Sequence, residues 1–223
     1  MISIRALRQG VLDIEVLDIN PGITSVIGPN GSGKTTLLRL LSGISLPECG
    51  TIFIDDLSPR AVETGWVNEF PDRNILFDTV ADEIASPLRF HRVSCRETDT
   101  LVTDLMTRMR ISHLQNRGMQ DLSGGEKILT ALAAAIVCNP RILVLDEYDS
   151  HLDENRAREI EEILKKSTIP YIIRCTQQME SASRGNGIIY LENGRVVHQG
   201  SPDKVFAALA GTAFYPFSMR CGI

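Results

Sequence analysis

A glycine-rich segment near the start of the chain has the residue types that hold phosphate groups. Residues 28–35 read GPNGSGKT, which fits the pattern G-x-x-x-x-G-K-[ST]. Glycines let the backbone curl so that successive N–H groups point at phosphate oxygens. Lys34 is predicted to reach the β- and γ-phosphates, the Thr35 hydroxyl to bind Mg²⁺, and Thr36 to bond the α-phosphate. The predicted phosphate-binding residues are Asn30, Gly31, Ser32, Gly33, Lys34, Thr35 and Thr36.

Two acidic residues follow a short apolar run later in the chain. Residues 142–145 are ILVL, and Asp146 and Glu147 come directly after them. A buried parallel strand delivers such side chains to the edge of the sheet where ligands bind. We expect Asp146 to hold Mg²⁺ through water and Glu147 to polarise the water that attacks the γ-phosphate. Strands often end in acids, so this interpretation depends on the phosphate-binding segment being present as well.

The elements that must position these residues alternate between strands and helices. The predicted strands cover residues 2–7, 11–19, 23–27, 51–54, 142–145, 171–175, 188–192 and 195–198. The predicted helices cover residues 34–43, 126–137, 153–166 and 203–210, and residues 79–118 are predicted to be mostly helical. Asn193 and Gly194 predict a hairpin between the last two strands. The pattern favours an α/β fold, with a mainly parallel sheet, antiparallel additions and a helical insertion.

Composition limits the class of protein and its partners. A chain of 223 residues accommodates one α/β domain that carries a smaller subdomain. The net charge of −5 argues against nucleic acid as the main partner. We find no signal-peptide pattern, and no apolar run reaches the roughly 18 residues of a membrane-spanning helix. The five cysteines have no metal-ligand spacing, which is typical of reduced thiols in a cytosolic protein.

A further motif identifies a family. Residues 122–126, LSGGE, closely resemble the signature sequence of ABC transporter ATPases. Residues 150–153 resemble the family's dimer-contact loop, and residues 193–197 and 200–202 resemble its closing hairpin. Residues 70–74 and 77–80 are most similar to the branch that serves energy-coupling-factor importers of vitamins, cobalt and nickel.

The resemblance implies a P-loop NTPase that binds ATP and Mg²⁺. Residues 1–223 would form a single ABC ATPase domain, with a RecA-like core at about residues 1–78 and 121–223 and a helical subdomain at about residues 79–120. It implies that Ser123, Gly124 and Gly125 cover the γ-phosphate held by another subunit. Two ATPase subunits, formed by the same or different chains, would then enclose two ATP molecules.

The sequence departs from the family pattern at four places. Glu69 replaces the glutamine that the resemblance assigns to Mg²⁺ and to the transmembrane partner, and Gln177 replaces a histidine that contacts the γ-phosphate. The first hairpin has no aromatic residue for adenine and offers only Arg8 and Gln9. The chain ends at Ile223, without the longer C-terminal domain of many importer ATPases of that branch. The expected catalytic set is therefore Glu147, Gln177 and Glu69, and the expected Mg²⁺ ligands are Thr35, Asp146 and Glu69.

Three functions are considered for a chain with these motifs. The leading hypothesis is an ATPase at the inner face of the cell membrane that powers import of a small solute or metal ion through a separate transmembrane protein, with residues 69–77 near the coupling surface. The alternative, motivated by Glu69 and Gln177, is a regulatory half of a heterodimer that hydrolyses ATP poorly. A soluble ABC ATPase in repair or cofactor assembly lacks support.

The aromatic residues 214–217 either dock a partner or pack on the protein's own core, and packing on the core is the favoured interpretation.

Overall fold

Strands and helices alternate through the computed structural model, which describes residues 1–70, 75–150 and 152–220. In these residues the strands are β1 (Ile2–Gln9), β2 (Leu12–Ile19), β3 (Gly22–Ile27), β4 (Cys49–Ile54), β5 (Thr64–Val67), β6 (Ile142–Asp146), β7 (Tyr171–Cys175), β8 (Gly187–Glu192) and β9 (Arg195–Gly200). The α-helices are α1 (Lys34–Leu41), α2 (Val80–Phe90), α3 (Cys95–Arg108), α4 (Gly124–Ile136), α5 (Glu154–Lys166), α6 (Met179–Ser183), α7 (Pro202–Ala208) and α8 (Phe217–Arg220).

A six-stranded sheet forms the centre of the fold, in the order β5-β6-β7-β3-β8-β9. Its first five strands are parallel, and β9 pairs antiparallel with β8 through the hairpin that Asn193 and Gly194 predict. A separate antiparallel sheet has the order β2-β1-β4. The predicted α/β class, with a mainly parallel sheet and antiparallel additions, is confirmed.

The two faces of the central sheet are covered by different layers. Leu143 and Leu145 pack on one face with apolar residues of α2, α3, α4 and α5. Ile142 and Val144 pack on the other face with α1 and the smaller sheet. All five residues of β6 are buried, which explains why its sequence is a continuous apolar run rather than an alternating one.

The strand register brings the predicted site segments to one edge of the sheet. Asp146 of β6 pairs in register with Cys175 at the carboxyl end of β7. On the other side of β7, Val26 of β3 pairs in register with Cys175 as well. Val67 of β5 is level with Leu145. The segments that follow β3, β5, β6 and β7 therefore emerge side by side, and each carries residues selected from the sequence.

Residues 79–120 hold α2, α3 and two short 3₁₀ turns. Thr79 caps α2 by accepting a hydrogen bond from Asp82 N, and Ser94 caps α3 in the same way. The two ends of the segment meet, because Met119 N donates to the Asp78 carbonyl at 2.9 Å. Across the described residues, no helix is long and apolar enough to cross a membrane.

Strand β5 and the short helices α6 and α8 were not predicted from the sequence. Strand β5 has only four residues and includes Gly65, so it shows no clear periodicity. Helix α6 has only five residues. The aromatic tail is divided: Phe214 and Tyr215 pack on the apolar cluster around α7 and β8, as favoured, whereas Phe217 is exposed.

Candidate functional site

The segment of residues 28–35 curls around the ammonium group of Lys34. Lys34 Nζ donates to the Gly28 carbonyl at 2.9 Å and to the Pro29 carbonyl at 3.0 Å, and the side chain is buried. Gly28 has a φ of 146° and lies so close to β8 that an added Cβ would be 1.9 Å from the Leu191 carbonyl oxygen. The turn therefore requires glycine and cannot accommodate a larger residue there.

The chemistry of this loop fits a phosphate chain. Gly33, at φ 101°, is the N-cap of α1, so the N-terminal N–H groups of the helix face the loop. Ser32 Oγ is buried and has no hydrogen-bond partner in the part of the chain that the structure describes. A buried hydroxyl without a partner is unfavourable unless a ligand or water completes its bonding.

The predicted Mg²⁺ ligands Thr35 and Asp146 lie together. Thr35 Oγ1 donates to Asp146 Oδ1 at 3.2 Å, which joins the start of α1 to the end of β6. Burial raises the pKa of Asp146, and the negative charges of Glu147 and Glu69 raise it further, against the lowering effects of Thr35 and Arg39. Clustered carboxylates beside a hydroxyl are ligands of the type that Mg²⁺ prefers, and a cation there would relieve the repulsion between them.

Glu147 has a defined position at the end of β6. Its φ is 49°, an uncommon conformation for a non-glycine residue, and its N–H donates to the Cys175 carbonyl at 3.0 Å. Gln177 Nε2 lies 3.0 Å from each carboxylate oxygen of Glu147. The structure thus places Glu147 and Gln177, two of the three residues in the predicted catalytic set, in direct contact.

A hydrogen-bond network that the sequence did not reveal holds this pair. Thr176 Oγ1 donates to the buried carboxylate of Asp149 at 2.7 Å, and Gln178 Nε2 donates to the Asp149 carbonyl at 2.8 Å. Thr176 and Gln178, which flank Gln177, are therefore hydrogen-bonded to Asp149 in the turn after Glu147. These partners come from segments far apart in the chain, and no short motif signals them.

The signature segment forms an exposed helix N-terminus. Ser123 caps α4: its Oγ accepts from Glu126 N at 3.4 Å, and Glu126 Oε2 accepts from Ser123 N at 2.8 Å. The hydrogen bonds from the Ser123 backbone and hydroxyl hold the pKa of Glu126 below its usual value. A Cβ added at Gly124 would meet nothing within 4 Å, so the surface around it is open.

In the first hairpin, the residue that lies beside the phosphate loop is neither Arg8 nor Gln9, the two expected from the sequence. Arg8 Nε lies 3.5 Å from Asp13 Oδ1, and Gln9 Oε1 accepts from Glu48 N at 3.0 Å. Val11 is 57% exposed, and a Cβ added at Gly33 would be 3.3 Å from Val11 Cγ2. Leu12 Cδ2 is nearer, at 2.5 Å, but Leu12 is buried, so the exposed side chain beside the start of α1 is that of Val11, which has no ring to signal it in the sequence.

Two parts of the predicted motifs lie outside the described residues. They are residues 71–74, on which the importer-branch prediction partly rests, and His151 in the predicted dimer-contact loop. Glu69, in the segment that follows β5, is half-buried and lies within electrostatic reach of Asp146.

Comparisons with known proteins identify the family. The profile of the family described as "ABC transporter" matches residues 15–150. The energy-coupling factor transporter ATP-binding protein EcfA1 of Latilactobacillus sakei subsp. sakei (strain 23K) is 34% identical over 215 residues, which cover 91% of this chain and 76% of that protein. The tungstate uptake system ATP-binding protein TupC of Peptoclostridium acidaminophilum is 35% identical over 192 residues, which cover 83% of this chain and 89% of that protein.

A solved structure has the same fold. The structure of cbiO1 from Clostridium perfringens, described as part of the ABC transporter complex cbiONQ, superposes with a TM-score of 0.84. It is 25% identical and the match covers 92% of this chain and 90% of that one. The chain therefore belongs to the ABC transporter family of ATP-binding proteins, and it is an ATPase.

Proposed function

We propose that the chain hydrolyses MgATP to power the import of a small solute or metal ion through a separate transmembrane protein. The observation that carries the proposal is the meeting of three segments at one edge of the sheet. These are the phosphate loop around Lys34, the Thr35–Asp146 pair and the Glu147–Gln177 pair.

In this proposal each group has a distinct role. Lys34 and the N–H groups of residues 30–36 hold the phosphates, and Mg²⁺ would be held by Thr35, by Asp146 through water and by Glu69. When bound, Mg²⁺ would neutralise the charge of the phosphates. Glu147 accepts the proton of the attacking water, and Gln177 orients its carboxylate through the 3.0 Å contacts.

A second ATPase subunit completes the site. Ser123, Gly124 and Gly125 open α4 at an exposed N-terminus, which suits the γ-phosphate of a facing subunit, because a helix N-terminus attracts anions. The facing subunit is a second copy of this chain or a related chain, with Ser150, Leu152 and Asp153 in contact across the dimer. ATP would join the two subunits, and hydrolysis would release them.

A groove between α2, α4 and β5 is the proposed docking surface for the transmembrane protein. Leu76 is 67% exposed and Phe90 is 68% exposed, and both line this groove beside Trp66 and Ala131. Exposed apolar side chains of this size around one groove are typical of a protein interface. The groove adjoins Glu69, so a partner seated there would be next to the nucleotide site. This location supports the coupling surface expected from the sequence.

The names of the relatives support the import branch of the family. EcfA1 is named for an energy-coupling factor transporter and TupC for tungstate uptake, and both names describe import. We therefore assign this chain to import, at the inner face of the membrane, rather than to regulation without hydrolysis.

The dimer and the catalytic acid can be tested together. Glu147→Gln keeps the shape of the side chain and removes the base, so the variant should retain ATP and form a dimer visible by light scattering. The matched control Glu162→Gln changes an exposed acid of α5 and should behave as the wild type. Wild-type hydrolysis by Glu147→Gln would contradict the assigned base, and ATP binding by Lys34→Ala at wild-type affinity would contradict the phosphate site.

The docking groove needs its own test. Phe90→Asp should reduce recovery of this chain with membrane proteins from solubilised membranes, because a charge would be buried in the contact. Leu46→Asp introduces the same charge at an equally exposed apolar position outside the groove and should have no effect. Equal recovery of both variants would contradict the groove assignment.

A further inference from the structure

Three typical metal-ligand side chains meet at a place distant in sequence from the nucleotide-binding motifs. A carboxylate oxygen of Glu63, a ring nitrogen of His91 and Cys138 Sγ all lie within 4.8 Å of one another. His91 Nε2 lies 3.0 Å from Glu63 Oε1. We propose that these residues bind a thiophilic divalent cation, with Zn²⁺ as the best match, and leave a fourth position to solvent when the docking groove, which Glu63 and Cys138 also line, is unoccupied.

The donor set and its spacing fit zinc. Sulfur, imidazole nitrogen and carboxylate oxygen are its usual ligands, at about 2.3 Å for sulfur and about 2.0–2.2 Å for nitrogen and oxygen. In a tetrahedron these bond lengths place ligand atoms about 3.3–3.8 Å apart. Small side-chain rotations would bring the three atoms to that spacing. A set containing a thiol and an imidazole disfavours Mg²⁺ and Ca²⁺, which prefer oxygen.

Backbone hydrogen bonds and the packing of α4 on β5 hold the backbone at the three ligands. The Glu63 carbonyl accepts from Arg141 N at 2.9 Å, just before β5, and His91 N donates to the Pro87 carbonyl at 3.0 Å, at the end of α2. Cys138 follows α4, which approaches β5 so closely that a Cβ on Gly65 would be 2.3 Å from the Ala135 carbonyl oxygen. The three ligands are therefore brought together before any cation binds.

The surroundings also suit a cation that exchanges with solvent. The side chains of His91 and Glu63 are about half exposed, whereas Cys138 is partly buried against the apolar cluster of α4. Burial and the charge of Glu63 raise the pKa of the Cys138 thiol, so a cation must displace the thiol proton on binding. A bound ion would link α2 and α4 to the edge of the central sheet.

The competing explanation is a surface ion pair between His91 and Glu63, beside a thiol that only packs on the core. The two explanations differ in whether sulfur and nitrogen bind the same ion. Titration of the untagged full chain with Co²⁺ distinguishes them, because sulfur bound to Co²⁺ gives a thiolate-to-metal charge-transfer band. Excess Mg²⁺ and the absence of nucleotide keep the oxygen ligands near Thr35 out of the measurement.

We expect one Co²⁺ per chain with a charge-transfer band, and displacement of Co²⁺ by one equivalent of Zn²⁺. Cys138→Ser should abolish the band, and His91→Gln should weaken Zn²⁺ binding at least tenfold in competition with a chromophoric chelator. The matched controls Cys49→Ser and His113→Gln change exposed residues outside the cluster and should bind as the wild type.

Retained binding in both cluster variants, or an equal loss in the controls, would overturn the proposal, as would the lack of a charge-transfer band in the wild type. ATP binding reports whether each variant is folded, because the phosphate loop does not include these residues. If Cys138→Ser does not fold, the exposed position of His91 still provides the test. Failure of the metal proposal leaves the proposed ATPase function unaffected.

Discussion

Removal of the Gln177 amide tests how the catalytic acid is held. Gln177 Nε2 lies 3.0 Å from both oxygens of Glu147. Hydrogen bonds to charged groups contribute about 1.5–3 kcal/mol, and the exposure of Gln177 favours the lower end of that range. A loss of about 1.4 kcal/mol from the transition state corresponds to a rate about tenfold lower.

We therefore expect Gln177→Ala to lower the single-turnover rate of ATP hydrolysis about tenfold. The Kd for ATP should stay within about twofold, because Gln177 contacts Glu147 and has no bond to the phosphate loop among the described contacts. Gln177→His keeps a ring N–H that can donate to Glu147 and should retain most of the rate. Gln115→Ala removes an exposed glutamine side chain elsewhere and serves as the matched control.

Two results would contradict this role of Gln177. If Gln177→Ala hydrolyses ATP at the wild-type rate while Glu147→Gln is inactive, Gln177 does not position the base. If Gln177→His combined with Glu69→Gln raises the rate more than tenfold, the natural residues limit the site and the hydrogen bond is not the favourable arrangement described above. Rapid quenching of a single turnover, with ATP below the enzyme concentration, measures both rates directly.

Three further predictions concern other parts of the molecule. Val11→Tyr should place a ring beside the phosphate loop and tighten ATP binding at least about fivefold, since base stacking contributes about 1–3 kcal/mol; a fluorescent ATP analogue measures this. Arg174→Met should lower the free energy of unfolding in urea by about 3–5 kcal/mol, because it leaves the buried Glu161 carboxylate without its 2.5 Å partner. Hydrogen bonds from Ser123 lower the pKa of folded Glu126, so its contribution is complete above about pH 4.3 and is lost as the pH falls. The stability difference between wild type and Glu126→Gln should therefore be constant from about pH 6 to 8 and shrink below about pH 4.3.

Each of these three predictions has its own control and its own contradicting outcome. Val16→Tyr adds the same ring at an equally exposed position of β2, and an equal gain there would show a nonspecific effect. Adding Glu161→Leu to Arg174→Met should restore at least half of the lost stability, because the buried Glu161 charge is then removed as well; no recovery would contradict the ion-pair explanation. A stability difference for Glu126→Gln that grows towards low pH would contradict the sign of its pKa shift.

The sequence alone determined the chemistry of single segments. The phosphate loop, the acids after residue 145 and the LSGGE segment are contiguous, so their residue types and spacing define what each can bind before any fold is known. The short apolar runs likewise predicted β6 and β7, because a strand buried on both faces has apolar residues at most of its positions.

Tertiary structure decided which distant side chains meet. The contact of Gln177 with Glu147, the links from Thr176 and Gln178 to Asp149, and the exposed position of Val11 all depend on strand register or on how the first hairpin packs. Glu63, His91 and Cys138 are brought together only because α2 and α4 pack beside β5. Local sequence patterns report periodicity and spacing along the chain, whereas these sites depend on distances across it, which packing sets.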